Sequence, residues 1–146
     1  MLISHKRQLL VLHAPLTIND LAIERVDHFK YLGVWLSHNL TWNKHIEEIC
    51  KNASKQIGMI YRRFYQNSSK ETLLQLYVSL IRPCLEYATP VWDPSLQILT
   101  QAVEKVQGFA MKMCLKNWSG SYDELLRDSK LPTLKDRRLL LKLSYL

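Results

Sequence analysis

Glycine, cysteine and long apolar runs are scarce in this sequence, and each scarcity excludes a class of protein. Four glycines in 146 residues leave no glycine-rich loop that could wrap a phosphate group. The three cysteines, Cys50, Cys84 and Cys114, form no CxxC pair, which excludes a disulfide framework or zinc knuckle and indicates a reducing compartment, nuclear or cytoplasmic. The apolar run at residues 9–12 is too short for a membrane span or signal-peptide core.

Motifs for catalysis and metal binding are absent as well. The sequence contains no GxSxG, HExxH or Walker loop, and its five histidines show no HxH or HxxxH spacing. The acidic residues of the strand region, Asp20, Glu24 and Asp27, lie at turns and strand ends and fit no carboxylate pair that would hold Mg²⁺. We therefore expect no metal, no cofactor, no small-molecule substrate and no catalysis by this chain alone.

The charge of the chain is its clearest positive feature. The formal net charge is +7 and the pI is near 9.4, which favours polyanionic partners, with nucleic acid first and an anionic membrane surface second. Hydrophobic residues make up 47% of the chain, as in a globular protein. The length allows one domain with a real core, or a helical domain with a small appendage.

The first 40 residues have the pattern of short strands. Residues 29–36 predict one continuous strand, with Phe29, Tyr31 and Trp35 on one face and Leu32, Val34 and Leu36 on the other. Gly33 within it would let another backbone or a ligand approach closely. Residues 16–18 and 21–23 predict a hairpin around an Asn19-Asp20 turn, and residues 1–4 and 8–12 resemble strand fragments.

The remainder has the apolar periodicity of helices. A first helix should begin after Thr41 as N-cap and run to Phe64, with a stripe formed by Trp42, Ile46, Ile49, Cys50, Ala53, Ile57, Ile60, Tyr61 and Phe64. A second should start at a Ser68/Glu71 capping box and kink or break at Pro83. Glu86 beyond it is interpreted as a helix-surface carboxylate paired with a nearby arginine or lysine.

Three further helices are predicted. Asp93 should cap a helix that runs to Met113, with Phe109 on its apolar stripe and Gly108 marking close helix packing. Ser121 and Glu124 form a capping-box match before a short helix, and a last helix should start at Leu134.

Basic residues along these elements form a discontinuous set suited to a track of phosphates. The set comprises Lys30, Lys51, Lys55, Arg62, Arg63, Lys112, Lys116, Arg137 and Arg138. Tyr31 and Trp35 could add stacking or sugar contacts. The alternative is that the lysines form a solvated face and the aromatic residues belong to the core, and the sequence leaves both possibilities open.

The order of several short motifs resembles that of LINE-type (non-LTR, jockey-like) retrotransposon reverse transcriptases. The resemblance is carried by residues 29–34 (FKYLGV), 40–42 (LTW), 45–46 (HI), 76–77 (LY), 80–83 (LIRP), 85–88 (LEYA), 91–92 (VW), 103–107 (VEKVQ) with Ala110, and 131–134 (LPTL) with Arg137 and Arg138. Residues 1–4 with Lys6 and Arg7 also resemble the strand that follows the catalytic loop in those enzymes.

This resemblance implies an α+β, mostly α fold: palm-end β-hairpins over residues 1–40, a helical thumb over 41–116 and a truncated helical connection over 117–146. It implies that Tyr31, Leu32 and Gly33 form the hairpin of a primer grip, with Lys30 beside them. It also implies that the first helix, with Lys51, Lys55, Arg62 and Arg63, contacts an RNA/DNA primer–template duplex. The fingers, the catalytic aspartate loop and the endonuclease have no counterpart here, so the chain is expected to be a fragment that is inactive alone.

Two other interpretations stay open from the sequence. The chain could be a repurposed helical module that binds proteins through apolar surface left bare by the absent palm and fingers, with no nucleic-acid role. It could also be a degenerate product without function. No membrane partner is expected under any of these interpretations.

Overall fold

Two short hairpins precede seven α-helices in the computed structural model, which describes residues 17–94 and 96–144. Strands β1 (Thr17–Ile18) and β2 (Leu21–Ala22) pair antiparallel around Asn19 and Asp20, as predicted. Strands β3 (His28–Tyr31) and β4 (Val34–Ser37) form a second antiparallel pair. The predicted α+β, mostly α fold is confirmed. The strand fragments predicted at residues 1–4 and 8–12 lie outside the described residues.

The single strand predicted over residues 29–36 is wrong, because the chain reverses in its middle. Leu32 and Gly33 both have positive φ, at 45° and 84°, which is the geometry of a two-residue type I′ hairpin turn. Residues directly opposite each other in a hairpin share a face, so Lys30 lies with its partner Trp35. Trp35 is therefore not on the face of Phe29 and Tyr31, as the sequence had suggested.

Helix α1 (Asn43–Phe64) is 22 residues long, or about six turns. It begins two residues after the predicted cap Thr41, whose backbone N–H and hydroxyl both donate to Asn39 Oδ1. Ile46, Ala53, Ile57 and Ile60 of the predicted stripe are buried. Tyr61 and Phe64, which the stripe had included, are instead exposed.

Helix α2 (Lys70–Leu76) begins one residue later than predicted. Ser69, rather than Ser68, caps it by accepting from the Thr72 backbone N–H at 3.2 Å. A π-helical turn (Tyr77–Ile81) and α3 (Arg82–Glu86) follow without a break. Pro83 would clash with the carbonyl four residues back in an ordinary helix, and the wider turn before it relieves that clash.

The last four helices are α4 (Thr89–Trp92), α5 (Gln97–Cys114), α6 (Tyr122–Ser129) and α7 (Leu134–Leu143). Both hydrogen bonds of the predicted Ser121/Glu124 capping box are present. A Cβ atom on Gly108 would lie 3.2 Å from the Tyr122 ring, which confirms the close packing predicted there. Asp93 does not cap α5, because it forms ion pairs with Arg138 and Lys142.

The chain divides into two compact units, Met1–His45 and Ile46–Leu146. The core of the second unit is built from the buried faces of its helices and includes Leu73, Tyr77, Leu85, Trp92, Val103, Met111, Leu125 and Leu134. The predicted boundaries near residues 41 and 117, and the names given to those regions, stay predictions. Within residues 17–94 and 96–144, no helix combines the length and apolar character needed to cross a membrane.

Candidate nucleic-acid interface

The tip of the second hairpin presents apolar side chains to solvent. Leu32 is 73% exposed and Tyr31 59%, and Phe29 on the same face as Tyr31 is also exposed. The positive φ of Leu32 is unfavourable for a branched side chain by about 1 kcal/mol. Backbone strain of this kind clusters at functional sites, so the turn is a candidate site on geometric grounds. Tyr31, Leu32 and Gly33 thus form an exposed surface at and beside the turn, whereas Lys30 projects from the opposite face of the hairpin.

Trp35 holds two lysines at the opposite face of this hairpin. The Nζ atoms of Lys30 and Lys44 each lie 5.8 Å from the centre of the Trp35 ring, within cation–π range. The Trp35 backbone N–H donates to Nδ1 of buried His45 at 3.3 Å. Burial lowers the pKa of His45 to about 4, so its imidazole is neutral and can accept this hydrogen bond at pH 7. The cationic groups at this face are therefore the two lysines.

Three of the four predicted basic residues of α1 share one face, and we call Lys51, Lys55 and Arg62 the basic row. Residues of a helix advance by about 100° each, so these three lie within about 40° of one another. The buried stripe around Ala53 and Ile60 lies on the opposite side of the helix. The basic row therefore points away from the core of the second unit.

The side chains of the basic row and of Arg63 are exposed. Within the described residues, none of these four forms an ion pair or hydrogen bond. Arg63 lies about 100° round the helix from Arg62, outside the row. The guanidinium of Arg62 extends back along the helix towards Gly58, because a Cβ atom on Gly58 would lie 3.8 Å from Arg62 Nη1. The four charges are thus available to an anionic partner.

Two arginines of the predicted basic set are not available in this way. Arg137 is paired with Glu86, and Arg138 is buried and donates from Nε to Asp93 Oδ1 at 3.0 Å. These contacts neutralise both guanidinium groups within the protein, so neither belongs to a phosphate track. The predicted pairing of Glu86 with an arginine is confirmed, but its side chain is 12% exposed and does not lie on the helix surface.

Sequence reasoning missed a group of contacting aromatic rings, which we call the aromatic cluster: Tyr61, Tyr65, Phe109 and Trp118. The ring centres of Tyr61 and Tyr65 are 4.5 Å apart, and those of Phe109 and Trp118 are 5.7 Å apart. Trp118 Nε1 donates to the Tyr65 hydroxyl at 3.0 Å.

The aromatic cluster borders the basic row, because Tyr65 follows Arg62 at the i, i+3 spacing that makes helical neighbours. Lys116 adds a charge of its own, with Nζ 5.3 Å from the centre of the Tyr65 ring. Periodicity assigned Tyr61 and Phe109 to buried stripes, but both are more than two-fifths exposed. The Tyr61/Tyr65 spacing is the one sequence signal that could have revealed the cluster.

The acidic residues considered for metal binding stay apart from any strand face. Asp20 lies in the first hairpin turn, and Glu24 and Asp27 lie between the hairpins, all exposed. Among the described residues, no group of three or more histidine, cysteine, aspartate or glutamate side chains is arranged to hold a metal ion.

Comparison with known proteins gives a similarity to a transposon enzyme. The chain is 24% identical over 125 residues to a probable RNA-directed DNA polymerase from transposon X-element of Drosophila melanogaster. That similarity supports a reverse-transcriptase-related region. The alignment covers 84% of this chain but 14% of the Drosophila protein, so the chain corresponds to a small part of that polypeptide. No protein-family model matches the chain, and no solved structure matches it.

The hairpin residues 30–33 belong to the first unit and the four basic residues of α1 to the second. All eight residues are exposed, although Lys30 and Arg63 project from other faces than the rest of their sets. The functional roles assigned to them by resemblance stay predictions.

Proposed function

We propose that this chain is a thumb-like region of a LINE-type (non-LTR) retrotransposon reverse transcriptase that contacts a primer–template duplex and supplies no catalytic groups of its own. In this proposal the basic row and Arg63 contact backbone phosphates. The hairpin residues Lys30 to Gly33 form the primer grip against the primer end. The similarity to a transposon RNA-directed DNA polymerase supports the general assignment.

The observation that carries the proposal is the basic row itself. Lys51, Lys55 and Arg62 lie on the helix face opposite the core, and within the described residues none of them is paired with a carboxylate. From Lys51 to Arg62 the helix rises by about 16 Å, which is about five base-pair steps of a duplex. A row of that length can follow one strand of phosphates, whereas a compact cluster could not.

The position of Arg62 and Arg63 at the C-terminal end of α1 fits this use. Arg62 and Arg63 lie in the last turn of the helix, where the negative end of the macrodipole stabilises cations. The helix dipole therefore stabilises these two charges without a carboxylate partner. A phosphate could bind them without first displacing a carboxylate.

A second candidate function is protein binding, and the exposed leucines of α7 favour it. Leu139, Leu140 and Leu143 are each more than half exposed at helical spacing. Such a strip is typical of a helix that packs against a partner surface. The two candidates predict opposite responses to salt, so one titration separates them.

The test is a fluorescence-anisotropy titration of the full chain with a labelled RNA–DNA hybrid at several salt concentrations. Binding should weaken steeply as salt rises, because bound phosphates release counterions. The triple variant Lys51→Gln/Lys55→Gln/Arg62→Gln should reduce the slope of log K against log salt by about 0.9 for each phosphate that the variant no longer neutralises.

The matched control removes three exposed charges elsewhere in the same unit, through Lys70→Gln, Arg127→Gln and Lys130→Gln. The control has the same net charge as the first triple and should leave the slope near that of the parent chain. If both triple variants had the same slope of log K against log salt, binding would depend on net charge alone, and the proposal would be overturned. Salt-insensitive self-association without duplex binding would favour the protein-binding candidate instead.

A further inference from the structure

A groove between α5 and α6 continues from the aromatic cluster. Its volume is about 490 Å³, and Gly108, Phe109, Tyr122 and Leu125 contribute to its lining. Phe109 belongs to both features, since its ring also contacts Trp118 at 5.7 Å between ring centres. A base that stacks on the exposed rings would therefore lie beside the opening of the groove.

Two glycines let the walls of this groove pack closely together. A Cβ atom on Gly108 would approach the Tyr122 ring to 3.2 Å, and one on Gly120 would approach Asn117 Nδ2 to 2.8 Å. Side chains at these two positions would crowd the groove wall. The volume falls within the range of about 300–1,000 Å³ that is typical of ligand pockets.

The charges around the groove favour an anionic occupant. Lys105 and Lys112 line it from α5, and Lys116 lies over the Tyr65 ring beyond it. The one carboxylate in the lining, Glu104, already accepts hydrogen bonds from the Tyr122 hydroxyl at 2.5 Å and from the Lys135 backbone N–H at 2.7 Å. Its charge is further offset by Arg138, whose Nη2 lies 3.7 Å away.

We propose that the aromatic cluster and this groove bind unpaired nucleotides of a single-stranded nucleic acid. One base stacks on Trp118, a neighbouring base enters the groove beside Phe109, and the linking phosphates contact Lys105, Lys112 and Lys116. Two bases are needed because the Trp118 and Phe109 ring planes lie 61° apart. Exposed aromatic rings beside a positively charged groove are the usual elements of single-strand binding sites.

This inference rests on the proposed function, because it assigns single-stranded nucleotides to a surface that borders the duplex-contacting basic row. It differs in the chemistry that it uses. The basic row recognises phosphates, whereas the aromatic cluster and groove recognise bases. A strand that lacks bases is therefore the discriminating probe.

The experiment compares three labelled 12-nucleotide probes on the full chain: a DNA strand with a central 2-aminopurine, an RNA strand of the same sequence, and a DNA strand with abasic sites at the four central positions. Stacking should quench 2-aminopurine emission on binding. The abasic strand should bind about tenfold more weakly than the intact DNA, which corresponds to about 1.4 kcal/mol.

Variants locate the effect. Trp118→Ala and Phe109→Ala should each lose most of the quenching and weaken binding of the intact strand several-fold, with the abasic strand unaffected. The matched control is Tyr87→Ala, which removes an exposed aromatic side chain of the same unit outside the cluster. It should leave both signals unchanged. Circular dichroism of each variant checks that the helices persist.

The outcomes separate this inference from the proposed function. Equal affinity for intact and abasic strands, with duplex binding still dependent on the basic row, would overturn the single-strand site alone. No binding to any strand or duplex would overturn both. Concentration-dependent self-association that protects Trp118 from solvent quenchers, without base-dependent binding, would assign the cluster to a protein contact and also overturn the inference.

Discussion

Arg137 and Glu86 form a two-pronged ion pair that joins α7 to the end of α3. Arg137 Nη2 donates to Glu86 Oε2 at 2.9 Å, and Nε donates to the other carboxylate oxygen. The Glu86 side chain is 12% exposed and that of Arg137 27%. These hydrogen bonds raise the pKa of Arg137 above its ordinary value. The pair fixes the last helix against a segment 51 residues earlier in the chain.

Removing Arg137 should destabilise the second unit more than removing an exposed arginine. Arg137→Met leaves a largely buried carboxylate without its partner, which costs about 2 kcal/mol in the free energy of unfolding. Arg127→Met, at an exposed position of α6, should change it by less than about 0.5 kcal/mol. Urea unfolding of both variants measures the difference. Equal effects would mean that the pair contributes nothing beyond a surface charge.

A buried hydrogen-bonded chain should be as sensitive as this ion pair. The Tyr77 hydroxyl donates to Gln107 Oε1 at 3.1 Å, and Gln107 Nε2 donates to the Pro132 carbonyl at 3.0 Å. Gln107→Leu keeps the size of the side chain but leaves the hydroxyl and the carbonyl without a partner, at a cost of about 1–3 kcal/mol. Tyr77→Phe combined with Gln107→Leu should recover part of that loss, because the hydroxyl is gone. A double variant no more stable than Gln107→Leu would contradict this account.

Local patterns in the sequence predicted most helices, because their signals lie within a few residues. The Ser121/Glu124 capping box and the buried part of the α1 stripe, Ile46 to Ile60, depend on spacings of three and four residues and were correct. Asp93 was assigned wrongly because its partners, Arg138 and Lys142, are distant in sequence. A carboxylate that is suited to cap a nearby helix does not do so when residues distant in sequence form ion pairs with it.

The candidate site was less predictable than the fold for the same physical reason. Periodicity missed the turn at Leu32-Gly33 because leucine disfavours positive φ, so the segment appeared to continue as a strand, whereas the family resemblance did imply a hairpin there. The aromatic cluster combines Tyr61, Phe109 and Trp118 from separate segments, and no spacing relates them. The basic row was predictable as a helix face, since one helix carries all of it.

The stability of the first unit should fall in mild acid because of His45. Its folded pKa is about 4, whereas an unfolded histidine titrates near 6.5. Between those pH values the unfolded chain binds more protons, so the free energy of unfolding decreases as the pH falls from about 6.5 to about 4. The loss is complete only below the folded pKa, at about pH 4.

Comparison of His45→Asn with the parent chain isolates this effect. The asparagine amide oxygen can accept the Trp35 N–H in place of Nδ1 and does not titrate, so the variant should lose less stability between pH 7 and pH 5. His28→Asn, at an exposed histidine of the same unit, is the control substitution, and the difference between the two variants gives the contribution of His45. NMR titration of the His45 ring gives its pKa directly, and a value near 6.5 would contradict the prediction.

The two hairpin turns should respond in opposite directions to an exchange of leucine and asparagine. Leu32 has a φ of 45° and Asn19 a φ of 50°, and asparagine tolerates this region better than leucine does. Leu32→Asn should therefore stabilise the second hairpin by about 1 kcal/mol, and Asn19→Leu should weaken the first by a similar amount. Amide exchange and backbone chemical shifts of residues 17–37 measure both.

If Leu32 contacts the primer end as proposed, Leu32→Asn will also lower affinity for the RNA–DNA hybrid, even though the hairpin is more stable. A more stable hairpin with undiminished affinity would remove Leu32 from the interface.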